Sequence, residues 1–96
     1  MPVPAVFEII DKTGKTIRLT KGQWLHIVQE HPQAANIDEM KEALWTPTII
    51  MNSPYDTTVR WYYRFDKQRR QYLLVSVKYL NGNGFIITAY HVRNIK

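Results

Sequence analysis

The fold turns on residues 71–92: QYLLVSVKYL (Gln71–Leu80), the turn NGNG at 81–84, and FIITAYHV (Phe85–Val92). No other part of the chain combines such apolar density, β-branching and turn chemistry, so this stretch reads as two strands of a hairpin. An even-length loop is the natural form of such a turn, and it sets which side chains share a face. On that parity Leu73, Val75, Val77 and Tyr79 lie with Ile86, Thr88, Tyr90 and Val92. Tyr72, Leu74, Ser76 and Lys78 lie with Phe85, Ile87, Ala89 and His91.

Working outward, Val59–Phe65 alternates Val59, Trp61, Tyr63 and Phe65 against Arg60, Tyr62 and Arg64, an aromatic face against a largely cationic one. The connection DKQRR leaves the relation of the two faces open. A four-residue loop puts the arginines with Thr88 and Tyr90, and a five-residue loop puts them with Lys78 and His91. Before this, Thr48–Met51 is a brief β-branched run between Pro47 and the turn cluster NSPYD.

Two helices precede these strands. Thr20 with Gln23, and Asn36 with Glu39, carry N-cap signatures. From the first cap, Trp24, Ile27 and Val28 share a stripe that faces the core, with His31 at its margin and His26 on the opposite side. Pro32 biases His31 away from helical geometry, so the helix stops there. Ile37, Met40 and Leu44 repeat at helical spacing up to Trp45. At the start, Ala5–Ile10 and Thr16–Leu19 flank the turn DKTGK and form an edge hairpin. The expectation is a single α+β domain over residues 1–96.

The 96 residues allow one core, and 13 Lys and Arg against 8 Asp and Glu give a net charge of +5, a field suited to a polyanion. The chain contains no cysteine, which removes disulfides and thiolate metal sites. No run is long enough to span a membrane, and MPVPAVFEII lacks the features of a signal peptide, so a cytoplasmic chain without a membrane partner is the default.

His26 and His31 are five apart rather than the four that aligns two ligands on a helix, and no metal or cofactor motif is present. NGNG lacks the helix and Lys-Ser/Thr of a phosphate loop, and neither Ser53 nor Ser76 has a nucleophile-elbow context. The remaining polar set suits metal-free phosphodiester cleavage. RNA brings its own nucleophile, the 2′-hydroxyl; the protein must accept that proton, protonate the leaving oxygen and hold the phosphate. Histidine serves either proton transfer and arginine grips phosphate oxygens, which selects His31, Arg60, Thr88 and Tyr90. The bland alternatives are a helix-capping histidine, a packing tyrosine and arginines on a solvated face.

The pattern W-L-H-I-x-x-x-H-P (Trp24–Pro32), the strand opening near Pro47 and G-F-I-I-T-A-Y (Gly84–Tyr90) resemble the phage-type nuclease branch of the barnase, EndoU, colicin and RelE-like superfamily (BECR fold). The similarity spans roughly residues 16–96. The resemblance implies helices followed by a curved antiparallel sheet of about four strands, and a metal-independent endoribonuclease or toxin that cuts tRNA or mRNA to a 2′,3′-cyclic phosphate. An acidic neutralising protein would accompany a toxin. Carried over by residue, it favours His26, His31, Thr88 and Tyr90, and more loosely Arg60; Arg64 and Lys78 would assist as substrate-binding cations. The alternative is a non-catalytic RNA-binding or protein-interaction module of the same fold.

Overall fold

The computed structural model describes residues 5–95. Six strands, β1 (Ala5–Ile10), β2 (Thr16–Thr20), β3 (Ile49–Asn52), β4 (Val59–Asp66), β5 (Gln71–Leu80) and β6 (Asn83–Val92), form one open sheet in the order β1-β2-β6-β5-β4-β3. Between β2 and β3 run α1 (Lys21–Glu30), a 3-10 turn at Pro32–Ala34, and α2 (Ile37–Trp45). The architecture is α+β, but the sheet has six strands and is mixed. The N-terminal hairpin does not pack on a smaller antiparallel sheet: it joins the same sheet through a parallel β2–β6 pairing, Ile17 opposite Gly84 and Arg18 opposite Phe85.

Local chemistry explains the helix starts. Thr20 Oγ1 accepts from the Gln23 amide at 3.3 Å, and Asn36 Oδ1 accepts from the Glu39 amide at 3.1 Å. Each cap satisfies an otherwise orphaned N–H and is worth about 1 kcal/mol. Ile27, Met40, Ala43 and Leu44 are fully buried, with Trp24 and Ile37 packed beside them. Val28, expected in the core, is exposed, so the buried stripe of α1 is narrower than its periodicity suggests.

The turn between β5 and β6 is tighter than the tetrapeptide implies. Leu80 pairs with Asn83, which leaves Asn81 and Gly82 as the loop, at φ 53° and 82°. Two positive φ values match the primed turn that fits strand twist, and Asn-Gly is the pair that adopts it most readily. Gly84 meets a different demand: a Cβ there would lie 2.9 Å from side-chain carbons of Ile17, Val77 and Tyr79. It lets β2 approach the hairpin.

Parity from this turn holds only through Val77 opposite Ile86. Ser76 then faces Thr88, so Ile87 is an extra residue, a bulge that reverses the rest of β6. Ala89 and His91 therefore join Leu73 and Val75 on the helix-covered face, while Thr88 and Tyr90 join Leu74 and Ser76 on the opposite face. The DKQRR connection is a four-residue loop, since Asp66 pairs with Gln71. Arg60 and Arg64 thus oppose Val77 and Leu73 on the covered face. Neither alternative grouping of the arginines is realised: they share a face with His91 but not with Lys78, and not with Thr88 or Tyr90.

Candidate functional site

At the end of α1 the backbone of His31 leaves helical geometry, at φ −138° and ψ 61°, as Pro32 requires. On a continuous helix His26 and His31 would lie about 140° apart around the axis. The departure instead brings their rings together edge to face, with centroids 6.3 Å apart. The His31 ring also lies 5.2 Å from that of Tyr90, tilted by 34°. The parallel β2–β6 pairing stops at Phe85, and α1 packs against β6. That placement sets a helix end beside a strand side chain of the uncovered face.

A cleft of about 510 Å³ opens here, with Glu30, His31, Gln71 and Tyr90 in its walls. His26 is exposed and His31 half-buried. Among the described residues no hydrogen-bond partner meets the side chains of His26, His31 or Tyr90. Tyr90 also borders a second hollow of about 750 Å³ on the uncovered face, shared with Trp61, Tyr63 and Arg93. Thr88 lies two residues before Tyr90 on the same face, but its Oγ1 is shielded from solvent and has no partner among the described residues. It is not presented to the cleft.

The three expected cations are committed elsewhere. Arg60 stacks on the Tyr79 ring, 4.9 Å from its centroid, and donates to Thr13 Oγ1 at 3.3 Å. Arg64 donates to the Thr46 carbonyl at 2.7 Å and hydroxyl at 2.8 Å, and pairs with Glu42 at 3.4 Å, closing the C-terminus of α2. Lys78 pairs with Asp56 at 3.2 Å. Arg60 as a phosphate clamp beside His31 is therefore corrected: it is held at Tyr79 and Thr13, level with Val77 and Ile86, while the bulge at Ile87, which the residue pattern does not announce, turns Thr88 and Tyr90 to the other face.

Around Arg60 a second polar cluster is built inward. Asp11 is only 5% exposed; its Oδ1 accepts from the amides of Thr13 and Lys15 and the hydroxyl of Thr13, and its Oδ2 accepts from Tyr62 and Tyr79. The Tyr62 and Tyr79 hydroxyls also bond to each other. Burial opposes ionisation of Asp11, but bonds from Tyr62, Lys15, Thr13 and Tyr79 outweigh it and hold the carboxyl below its usual range. Burial, then the bond to Tyr62, pushes the Tyr79 phenol far up.

Glu39, Asp66 and His91 bring one ligand-capable atom each within 4.8 Å of one another, a grouping that sequence spacing gave no hint of. Arg69 already pairs with both carboxylates, at 3.5 and 3.2 Å, so one cation offsets part of their charge. Burial and then Arg69 push the His91 imidazole down. Arg93, just past β6, is the other residue that sequence reasoning missed; only its position after Tyr90 could have suggested it. Compared with known proteins, the chain matches no family model, no curated protein and no solved structure.

Proposed function

We propose that the protein is a metal-independent endoribonuclease of the BECR type, working in the cleft at His31. The single observation that carries the reading is the convergence of His26, His31 and Tyr90, three ionisable or hydrogen-bonding rings without protein partners among the described residues. Transesterification of RNA needs one group to take the 2′-hydroxyl proton and another to protonate the departing 5′-oxygen on the far side of phosphorus. The two imidazoles, with centroids 6.3 Å apart, are close enough for a phosphodiester seated against them to engage one as base and the other as acid.

Tyr90 positions His31 by ring contact and offers its hydroxyl to a phosphate oxygen. Arg93, on the same hollow as Tyr90, takes the electrostatic role expected of Arg60. The product is a 2′,3′-cyclic phosphate, and tRNA is the first substrate to try. A toxin with an acidic neutralising partner is consistent with the net charge of +5.

The test is incubation of pure protein with a tRNA panel in EDTA, with product ends analysed for cyclic phosphate. Cleavage that disappears in His31→Ala supports the reading. RNA left intact at high protein concentration, or cleaved equally by His31→Ala, sinks it. Binding that weakens steeply with salt while RNA stays whole would establish the non-catalytic alternative.

A further inference from the structure

The face of the sheet turned away from the helices is not a solvated polar surface. Tyr63 and Leu74, 2% and 4% exposed, form the floor of the 750 Å³ hollow, and neither belongs to the same floor as the helix-packed core residues on the far side of the sheet. Trp61, Tyr90 and Arg93 stand around that floor. Tyr55 stands there too, 90% exposed, on a loop that is held in shape. Ser53 Oγ accepts from the amides of Tyr55 and Asp56, Asp56 accepts from the amide and hydroxyl of Thr58, and Lys78 ties Asp56 to β5. The Thr58 bonds and Lys78 hold the Asp56 carboxyl down at about 2, so this anchor stays charged.

We propose that this hollow is a base-stacking subsite for single-stranded RNA, seating bases next to the phosphodiester held at His31. The inference rests on the ribonuclease reading for the identity of the neighbouring cleft. Three observations select this occupant. Flat aromatic rings with a cation at the rim match the chemistry of nucleobase and phosphate. The net charge of +5 draws in a polyanion. Tyr90 lines both hollows, so they adjoin across one side chain, and a base next to a phosphate at His31 meets the accessible rings of Tyr90, Trp61 and Tyr55 rather than the buried floor. Duplex RNA keeps its bases stacked on each other and cannot offer them to these rings.

A short 2′-O-methyl oligoribonucleotide lacks the attacking hydroxyl, so its binding is measured apart from cleavage. The expected result is binding at least ~10-fold tighter for the single strand than for the same sequence in a duplex. Tyr55→Ala and Trp61→Ala should each weaken it by about 5- to 100-fold, and Tyr55→Phe should retain it. Because Tyr55 is 90% exposed, its loss does not act through unfolding. Equal affinity for duplex, no affinity for the single strand, or unchanged affinity in both alanine variants overturns the subsite. Parallel cleavage assays separate the two claims: cleavage without these binding effects removes only the subsite, and these binding effects without cleavage remove only the enzyme.

Discussion

Two clusters of polar and aromatic side chains flank the sheet, and they differ in what their polar atoms have left to give. Around Asp11 both carboxylate oxygens and both tyrosine hydroxyls are engaged with protein, and Arg60 lies across Tyr79. Around His31 the rings meet each other but no hydrogen-bonding group among the described residues. A saturated buried network fixes structure, because every bond lost strands a partner out of water. An unsaturated, half-exposed one keeps its capacity for a ligand. Similar residue types thus serve opposite ends, and the number of free donors and acceptors separates them.

Substitutions can break that contrast. The largest effect is expected from His31→Ala, which should lower RNA cleavage about 10³-fold with thermal stability unchanged, checked by a cleavage assay beside a melting curve. Next, Asp11→Ala should cost about 3 kcal/mol of stability, read by urea denaturation, because two tyrosine hydroxyls and two backbone amides lose their acceptor. Arg60→Ala should cost about 1 kcal/mol and leave cleavage within twofold. A tenfold loss of cleavage in Arg60→Ala would erase the distinction between the clusters.

The smallest effect concerns pH. The folded pKa of His91 lies below its ordinary 6.5, so the unfolded chain binds that proton more readily. Stability contributed above pH 6.5 is therefore lost as pH falls through the folded value. Asp11, lowered from 3.8, adds a second loss at more acidic pH. Denaturation across pH should show both declines, and His91→Gln should remove only the first.

What the residues disclosed was local. Both helix caps follow from Thr20 and Asn36 with their partners three residues on, and each of the six strands stands out as an apolar or alternating run. Face assignment failed because parity is a sum over the whole strand, and one extra residue at Ile87 inverted all that followed. Nothing in IITAY marks a bulge. The site was half legible: His31 and Tyr90 were singled out separately, but their contact depends on a helix end meeting a strand. The face of Arg60 was left open by the DKQRR loop, and the bulge at Ile87 then turned Thr88 and Tyr90 away from it. His26 lies off the apolar stripe of α1 and is exposed, as its helical position indicates, but its approach to His31 depends on the break before Pro32.

The parallel seam between β2 and β6 carries a consequence for the order of assembly. Residues 17 and 84 meet across a long loop, whose closure entropy must be met before their contact stabilises anything. The β1–β2 hairpin is two-stranded, and such a hairpin is marginal alone in water. Its stability is therefore conditional on β6, delivered by the Asn81–Gly82 turn and admitted by the bare backbone of Gly84. A side chain at position 84 would hold the hairpin off the sheet, leaving Asp11 without the two tyrosines that complete its hydrogen bonds.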